Sequence, residues 1–391
     1  MRTPPAHSTT ILVSAGETSG DRYGAGLVPE IRELLGERVR FFGVGGRGMA
    51  AAGVDLVADF TARSVVASMG FVPHLASIYQ AYRQLMRMIR RQRPSLAILI
   101  DAPTFNLFLA KRLKSLGINV VYFVSPQIWA WGRGRIKRIR ACVRKMIVIF
   151  PFEEELYRKE GVDVGYFGHP LVPHVRATLS RNAFCQRYGL DPSSHLIALL
   201  PGSRAEEVAN VLPTLVGAAQ RLGTAFQFVV SAAPNIGDEQ IRILLRSNLQ
   251  PQREELKIVV LREDLYDALK HSTAAAVCSG TATLESAAIG TPFVMVYRIA
   301  PWRWALRRLF VRVPYYCIVN IVAGHRVVTE LMQDEFTPER TAMELGALLN
   351  DPRKRGEMIG KFARIRHALD HGNAFKSAAL ALAEFVDATK S

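Results

Sequence analysis

The sequence predicts an α/β fold, with two tandem Rossmann-like domains and a helical C-terminal segment. Three observations favour this fold class: short apolar runs that end at Gly or Pro, helical lengths of chain between many of these runs, and a second series of the same kind that starts at His195. Alternating strands and helices are typical of a parallel, doubly wound sheet. Ligands of such sheets bind at the carboxyl ends of the strands, and two sheets in tandem imply a cleft between them.

The predicted strands fall into two series. Those of the first domain, residues 1–175, are TTILVSAG, VRFFGVGG, SLAILIDAP, NVVYFVSP, KMIVIFPF and VGYFG. Those of the second domain, residues 176–340, are HLIALLPGS, FQFVVSAAP, LKIVVLRED, AAAVCSG and PFVMVYRI. Residues 341–391 are predicted to be mainly helical, and we expect them to pack either on the first domain or on a partner subunit.

The composition is that of a globular protein that is long enough for two cores. The chain has 391 residues, of which 49% are apolar and 21% charged. Its four cysteines lie far apart without a C-x-x-C pair, which fits a reducing compartment and argues against a disulfide framework. The chain has no run of about 18 apolar residues that would predict a membrane span. Its N-terminus lacks the apolar region of a signal peptide. We therefore expect a soluble, cytoplasmic protein.

The net charge of +16 is concentrated in part of the chain. Between Asp59 and Glu153, sixteen residues are Lys or Arg and Asp101 is the only acid. A second acid-free stretch, from Glu285 to Glu330, contains six arginines. Such segregation favours a surface that faces an anionic partner, either a nucleic acid or a membrane. Because the chain has no RNP or KH signature, an RNA-binding function is the weaker alternative.

Two turns of the second domain resemble phosphate sites. In LLPGSRAEEV a strand ends in a tight turn at Gly202 and Ser203, whose backbone N–H groups can face an anion that Arg204 clamps. The alternative is a plain turn between a strand and a helix, with a surface arginine.

In CSGTATLE, a strand leads into Ser279, Gly280 and Thr281, where a helix opens. The free N–H groups and the positive end of the helix dipole suit a diphosphate, and Glu285 can accept both hydroxyls of a ribose. Alternatively, Ser and Thr only cap the helix and Glu285 is a helix-start acid. Neither turn is a Walker A sequence or G-x-G-x-x-G, so ATP and NAD are not favoured.

The first loop between a strand and a helix, SAGETSGDRYGAGL, is rich in glycine. Small residues keep the floor of the cleft open for a bulky ligand. The residues assigned to this floor are Gly16, Ser19, Gly20 and Asp21. The alternative, close packing of the helix on the sheet, is expected for Gly24 and Gly26.

Asp101 is the candidate general base. It ends a hydrophobic strand, in a region otherwise rich in positive charge. A carboxylate at a strand's carboxyl end can take a proton from an attacking hydroxyl group. The alternative is a structural carboxylate that hydrogen-bonds to a neighbouring loop, in which case Asp21 is the next candidate base.

The histidines do not indicate a metal site. His367 and His371 share a helix face, but the sequence suggests no third ligand. His169, in FGHPLVP near the predicted domain crossing, is expected to be structural.

An uncharged stretch of nineteen residues, 64–82, precedes five arginines and predicts a helix that dips into a membrane surface. The residues assigned to this interface are Val65, Val66, Met69, Phe71, Val72, Leu75, Arg83 and Arg87. The alternative is an apolar core face with a solvated arginine face. WRWALRRLFVR, residues 302–312, is a second candidate patch.

Several motifs occur together in one order: IDAPTFNLFLAK, SPQIWAWGRGRIKRI, PFEEELY, GHPL, LPGSR, SGTATLE and the region from Asn320 to Gln333. In this combination the chain resembles the lipid-A-disaccharide synthases, inverting glycosyltransferases of the GT-B fold. The resemblance extends from Ser14 to about Pro338. Two positions depart from the family pattern: Thr104 stands where an acid is common, and Val319 where proline is common.

The resemblance implies transfer of 2,3-diacylglucosamine from its UDP derivative to the 6-hydroxyl of 2,3-diacylglucosamine 1-phosphate (lipid X). It implies that Arg204, Glu285 and Asn320 contact UDP and that Asp101 is the base, without a metal or other cofactor. The enzyme is then expected as a monomer or homodimer on the anionic cytoplasmic face of the inner membrane, with no nucleic acid partner. The alternatives are another GT-B glycosyltransferase with a lipid-linked acceptor and an enzyme like UDP-N-acetylglucosamine 2-epimerase.

Overall fold

The structure of the protein is a computed structural model. It describes residues 9–59, 71–126, 128, 133–249, 256–310 and 313–387, and gives the backbone alone for 71–78, 133, 306–310 and 387. The chain divides into two compact units, Met1–Leu171 with Leu369–Ser391 and Val172–Ala368. Each unit contains a parallel sheet with helices, so the predicted α/β fold class is confirmed.

The described part of the first unit has a seven-stranded parallel sheet. Its strands are β1 (Thr10–Ala15), β2 (Arg40–Gly45), β3 (Val54–Asp59), β4 (Leu96–Ile100), β5 (Asn119–Phe123), β6 (Lys145–Val148) and β7 (Val164–Tyr166). In space their order is β3-β2-β1-β4-β5-β6-β7. The strand order therefore reverses between β1 and β4, which pair so that Ala15 lies beside Ile100.

Helices cover this sheet and bury apolar side chains against it. They are α1 (Thr18–Leu35), α2 (Arg47–Ala51), α3 (Phe71–Gln92), α4 (Pro103–Ser115), α5 (Ile136–Cys142) and α6 (Pro151–Lys159). On α3 the buried residues Ala81, Leu85 and Ile89 recur every four positions, the spacing of one helix face. Proline occupies the first helical position of α4 and of α6, where an N–H group would have no partner within the helix and its absence costs nothing.

The described part of the second unit repeats the arrangement with six strands in the order β10-β9-β8-β11-β12-β13. The strands are β8 (His195–Leu200), β9 (Phe226–Ser231), β10 (Lys257–Leu261), β11 (Ala274–Cys278), β12 (Phe293–Tyr297) and β13 (Glu330–Met332). The helices are α7 (Arg181–Tyr188), α8 (Ala205–Leu222), α9 (Asp238–Asn248), α10 (Leu265–His271), α11 (Thr281–Ile289), α12 (Pro301–Phe310), α13 (Ile318–Ala323), α14 (Pro338–Asn350) and α15 (Pro352–Leu369). Here the strand order reverses between β8 and β11.

The C-terminal residues are shared between the two units. Helix α14 and nearly all of α15 belong to the second unit, whereas α16 (Ala374–Asp387) belongs to the first and packs against α1. A side chain at Gly26 of α1 would overlap the ring of Phe375, and one at Gly24 would lie 2.6 Å from the sulfur of Met49. The close packing expected for these two glycines is confirmed.

Candidate functional site

The turns that carry the predicted site residues lie at both reversal points. Gly16 follows β1 and Asp101 follows β4, while Gly202 follows β8 and Ser279 follows β11. Loops diverge to opposite faces of a sheet at such a point, so a crevice opens beyond the strand ends. The topology therefore brings each pair of predicted turns together within its own unit.

At the first reversal point the two turns touch. A Cβ atom at Gly16 would lie 2.5 Å from the Cβ of Ala102, so this position requires glycine. Gly20 faces Ala15, where an added Cβ would lie 3.2 Å from the Cβ of that residue. Ser19 is half-buried in the first turn of α1. The glycines of this loop therefore permit close approach of backbone to backbone, which leaves the turn compact.

Asp101 has a left-handed backbone. Its φ is 48°, and that of the next residue, Ala102, is 44°. A residue with a side chain in this region costs about 1–3 kcal/mol unless its surroundings hold it, and such residues cluster at functional sites. The half-buried Asp101 therefore needs contacts that fix its turn.

Asn106, in α4, supplies several of these contacts. Its fully buried side chain donates from Nδ2 to the carbonyls of Ile100 and Asp101, at 3.0 and 2.8 Å. Its Oδ1 accepts from the hydroxyl of Ser14 on β1, at 2.7 Å. The last residue of the DAPTFN motif thus ties the ends of β1 and β4 together. Sequence reasoning missed Asn106 and Ser14 as site residues, although the motif itself was visible.

Tyr122, on β5, holds the same turn from the other side. Its hydroxyl donates a hydrogen bond to the carbonyl of Asp101. Burial raises the pKa of Tyr122 well above its usual value, the Asp101 charge raises it further, and Asn106 and Arg135 oppose the rise. Tyr122 is therefore a neutral hydrogen-bond donor at physiological pH.

Ser125 and Pro126, which begin the SPQIWAW motif, are held by residues of the PFEEELY motif. The hydroxyl of Ser125 donates to Glu153 Oε1 at 2.6 Å, and the backbone N–H of Phe150 donates to Glu153 Oε2 at 3.3 Å. The hydroxyl of Tyr157 donates to the carbonyl of Pro126 at 3.1 Å. Helix α6 therefore fixes the turn that follows β5, next to the turn of Asp101.

Asp21 has a structural role. Its carboxylate accepts hydrogen bonds from the backbone N–H groups of Gly46, Gly48 and Met49, at 2.7, 2.9 and 3.0 Å. These are the groups at the start of α2, where a negative charge is favoured. The buried Asp21 therefore anchors the loop after β2 and is poorly suited to be the second candidate base.

At the second reversal point, the LPGSR turn is arranged differently from the prediction. The backbone N–H groups of Ser203 and Arg204 donate to Glu207 Oε2, at 3.1 and 3.2 Å. Arg204 Nη1 also donates to Glu207 Oε1, at 2.8 Å. The amides expected to face an external anion are thus engaged by a carboxylate three residues into α8, as in a capping box. The guanidinium of Arg204 is exposed, as is Ser203.

The SGTATLE turn keeps its helix start open. The residue that precedes α11 is Gly280, which has a φ of 151° and no side chain with which to cap the first turn. Ser279 directs its hydroxyl to the carbonyl of Tyr316, at 3.4 Å, and Thr283 directs its own to the carbonyl of Gly280, at 2.7 Å. The alternative in which Ser and Thr only cap this helix is therefore wrong.

Glu285 lies on the second turn of α11 and is largely buried. The hydroxyl of Tyr266, on α10, donates to Glu285 Oε1 at 2.7 Å. This contact orients the carboxylate. Sequence reasoning missed Tyr266, since nothing in LYDALKH distinguishes it from a surface tyrosine.

The direct UDP contact predicted for Asn320 does not fit its surroundings. The side chain is fully buried, and Oδ1 accepts from the backbone N–H groups of Val327 and Val328 at 2.8 and 2.9 Å. Nδ2 donates to the carbonyl of Val328 and to Glu330 Oε1, both at 2.9 Å. An amide side chain has two donor hydrogens and two acceptor lone pairs, and all four are used. Asn320 therefore holds the loop after α13.

His169 is buried and neutral. Its Nδ1 accepts from the backbone N–H of Leu171 and its Nε2 lies 3.3 Å from the hydroxyl of Tyr23. Burial, followed by the charge of Arg22, lowers the pKa of His169 to about 3. These contacts agree with the structural role expected for it. Across the described residues, no cluster of three His, Cys, Asp or Glu side chains could hold a metal ion.

Three helices of the first unit carry exposed basic side chains. These are Arg83, Arg87, Arg90 and Arg91 on α3, Lys111, Arg112 and Lys114 on α4, and Lys137, Arg138 and Arg140 on α5. The ring of Tyr82 lies 6.5 Å from that of Phe105 and 5.3 Å from that of Phe108, and Lys114 donates to the carbonyl of Ala141. The three helices therefore lie side by side, and their charges form one surface, here termed the basic face.

The predicted membrane interface lies partly outside the described residues. Outside them are Val65, Val66 and Met69. Described by their backbone alone, in the first turns of α3, are Phe71, Val72 and Leu75. Arg83 and Arg87 are exposed on the basic face, and the guanidinium of Arg83 lies 5.9 Å from the ring centre of Tyr79. Of the helices in the described ranges, none has the length and apolar character needed to cross a membrane.

Comparison with known proteins identifies the family. The lipid-A-disaccharide synthetase family model matches residues 11–383. A lipid-A-disaccharide synthase of Koribacter versatilis is 43% identical over 94% of this chain and 95% of its own length. Those of Geobacter metallireducens and Coxiella burnetii are 40% and 37% identical, over 94% and 95% of this chain and 94% and 96% of their own. The chain belongs to the lipid-A-disaccharide synthase family.

Solved structures similar to this family member share its fold. UDP-GlcNAc 2-epimerase from Neisseria meningitidis has a TM-score of 0.63 at 13% identity, over 96% of this chain and 99% of its own. The calicheamicin glycosyltransferase CalG4 has a TM-score of 0.61 at 14% identity, over 97% and 98%. At this identity the likeness shows the GT-B fold alone. The lipid-A-disaccharide synthase family, rather than the epimerases, therefore assigns the chain as a glycosyltransferase.

The two departures from the family pattern lie in different environments. Thr104 is exposed in the first turn of α4, where it adds no charge beside Asp101. Val319 is buried in α13 and precedes Asn320, whose side-chain contacts are complete. The lipid-A-disaccharide synthase motif thus keeps one carboxylate at the turn after β4.

Proposed function

We propose that the chain transfers 2,3-diacylglucosamine from UDP-2,3-diacylglucosamine to the 6-hydroxyl of lipid X. The product is the β-1′,6-linked disaccharide 1-phosphate, and UDP is released. The observation that carries this proposal is the position of three motifs, DAPTFN, LPGSR and SGTATLE, which follow β4, β8 and β11 at the two reversal points. These are the places where a doubly wound sheet binds its ligands.

Asp101 is the proposed general base. Its carboxylate takes the proton of the acceptor's 6-hydroxyl while that oxygen attacks C1 of the donor sugar. The bond between C1 and the UDP oxygen breaks on the opposite side, and its electron pair leaves with the β-phosphate. Attack from the opposite side inverts the configuration at C1, as a β-linked product requires.

The second unit is proposed to bind UDP. The first turn of α11 offers backbone N–H groups and the positive end of a helix dipole, which suit a diphosphate. Arg204 contributes an exposed positive charge, and Glu285, whose carboxylate accepts a hydrogen bond from Tyr266, is proposed to accept the ribose hydroxyls. Fixed positive charge of this kind stabilises the departing UDP, so we propose transfer without a metal ion.

The basic face is proposed to lie against the anionic cytoplasmic surface of the inner membrane. Both substrates carry acyl chains, so the enzyme must reach them at a lipid surface. Each Lys or Arg near an anionic surface contributes about 1 kcal/mol to binding. The exposed aromatic rings of Tyr79 and Phe108 lie among these charges and suit the boundary between headgroups and acyl chains.

The decisive experiment is incubation of the purified protein with UDP-2,3-diacylglucosamine and lipid X. We expect a disaccharide 1-phosphate, detected by mass spectrometry, and one UDP for each disaccharide. Omission of lipid X should abolish UDP release. If UDP is instead released from the donor alone, with no disaccharide in either reaction, the protein is an epimerase or a hydrolase and the proposed transfer is wrong.

A further inference from the structure

The turn after β4 is held by contacts to its backbone. Asp101 and Ala102 both have positive φ values, 48° and 44°. The Asp101 carbonyl accepts two hydrogen bonds, one from the hydroxyl of Tyr122 and one from Nδ2 of Asn106. The two donors come from different elements, β5 and α4, so they restrain the peptide from two sides.

Packing of the core does not require the hydroxyl group of Tyr122. The side chain is fully buried among apolar neighbours of the first sheet, where phenylalanine would fill nearly the same volume. A buried hydroxyl group is costly unless it makes a hydrogen bond, and that of Tyr122 donates to the carbonyl of Asp101, the residue that follows β4. The contact therefore fits a role in orienting the turn.

We propose that Tyr122 is a positioning residue for Asp101. This inference rests on the proposed role of Asp101 as general base. The hydroxyl of Tyr122, together with Asn106 and its partner Ser14, holds the peptide of Asp101 in its left-handed conformation. That conformation sets the direction in which the carboxylate leaves the backbone, and therefore its distance from the acceptor hydroxyl.

Tyr122→Phe tests the inference. A small misplacement of a catalytic group can cost up to about 100-fold in rate, so we expect kcat to fall by about tenfold with the KM of both substrates unchanged. Tyr23→Phe is the matched control, because it removes a buried tyrosine hydroxyl from the same unit that contacts His169 instead. The control should change the melting temperature to a similar extent and leave kcat unchanged.

A double-mutant cycle separates positioning from general damage. In the Asp101→Asn background, Tyr122→Phe should lower the remaining turnover much less than it does in the wild type, since the group that it positions has lost its function. An equal fall in both backgrounds, or an unchanged kcat for Tyr122→Phe, overturns the inference. If Asp101→Asn alone keeps near-full activity, the proposed base is wrong, a result that does not depend on Tyr122.

Ser14→Ala provides a second variant that leaves Tyr122 intact. It removes the hydroxyl that holds Asn106 Oδ1 and so loosens the amide that restrains Asp101. We expect a smaller fall in kcat, again with unchanged KM and again reduced in the Asp101→Asn background. A fall in kcat that persists in that background would assign Ser14 a role independent of Asp101 and contradict the proposed chain of contacts.

Discussion

At the scale of single residues, the two candidate bases differ in what their atoms contact. The carboxylate of Asp21 accepts three backbone N–H groups at the start of α2. At Asp101 the backbone carbonyl, rather than the carboxylate, receives the hydrogen bonds of Tyr122 and Asn106. In the first arrangement a carboxylate holds a loop, whereas in the second two side chains hold the backbone of the turn that carries Asp101.

Asp101→Asn should lower kcat by about 10²- to 10⁴-fold, because the amide keeps the shape of the side chain and cannot take a proton. UDP affinity should be unchanged. Asp21→Asn is the control: it should lower the melting temperature through the weaker cap of α2 and leave kcat within a few-fold of wild type. Turnover by Asp101→Asn near the wild-type value would move the base elsewhere.

Burial of neutral His169 predicts a stability that depends on pH. Its pKa is about 3 in the folded protein, below the ordinary value of 6.5. As the pH falls, His169 of the unfolded chain therefore binds a proton at a higher pH than His169 of the folded protein. The contribution of neutral His169 to the free energy of unfolding is therefore fully present above the pKa of the unfolded chain. It is lost as the pH falls toward the pKa of the folded protein. From about pH 7 to about pH 5 the loss from this group is about 2 kcal/mol.

Melting temperatures at these two pH values check the effect. His169→Gln cannot bind the proton, so its melting temperature should fall less between the two pH values than that of the wild type. Parallel slopes for the two proteins would show that His169 does not contribute.

Glu285 and Asn320, both assigned to UDP from the sequence, should behave differently when changed to Ala. Glu285→Ala should fold and lose UDP affinity, measured by calorimetry. Asn320→Ala leaves buried backbone groups without partners, at about 1–3 kcal/mol each, and should therefore lower the melting temperature first. Unchanged UDP affinity in folded Glu285→Ala would remove its proposed role.

At the scale of elements, carboxylates at helix starts fix the loops around both sites. Glu207 holds the turn before α8, Glu153 the turn before α6, and Glu330 accepts from the N–H groups of Tyr316 and Cys317 before α13. Each carboxylate satisfies N–H groups that the helix cannot. The start of α11, preceded by Gly280, has no side-chain cap and is therefore the better candidate for the proposed phosphate site.

Arg204→Lys tests how the turn before α8 contributes. Lysine keeps the charge but loses the planar fork that can hold Glu207 and a phosphate oxygen together, so kcat should fall more than donor affinity. Arg187→Lys is a matched control, since Arg187 is another exposed arginine of this unit paired with an acid, Asp264. Equal turnover for Arg204→Lys and wild type would reduce Arg204 to a general source of positive charge.

At the scale of the whole molecule, charge is distributed unevenly along the chain. The basic face is built by three successive helices of the first unit from a segment with one acid. Changing Arg83, Arg87 and Lys111 together to Gln should weaken binding to phosphatidylglycerol-containing vesicles by at least about tenfold, as expected from about 1 kcal/mol per charge. The same three changes should have no effect on vesicles of phosphatidylcholine alone.

The charge-matched control for this experiment replaces Arg246, Arg353 and Arg364, exposed arginines of the second unit, with Gln. Vesicle sedimentation should show binding close to that of wild type. Equal losses for both triple variants would mean that net charge alone drives adsorption, which would contradict an oriented basic face.

The fold class and most of the strands can be predicted from the sequence alone. All eleven predicted apolar runs are strands, and most of them lie between two neighbours in a sheet, where strands covered on both faces are apolar along their length. The two that were missed are β3 and β13, whose sequences, VDLVAD and ELM, are respectively mixed in polarity and short. The family and the turns that carry its motifs can likewise be predicted from the sequence, because each motif is a contiguous stretch of the chain.

The contacts of the residues in these turns become visible only in the folded structure. Asn106, Tyr122 and Ser14 meet at Asp101 from three elements, a convergence that sequence spacing does not reveal. The same holds for Asn320, which looked like a ligand contact until its four hydrogen bonds to the loop around Val327 placed it inside the protein. A polar side chain satisfies its donors and acceptors with whatever lies nearest in space, so its role depends on neighbours that folding brings together.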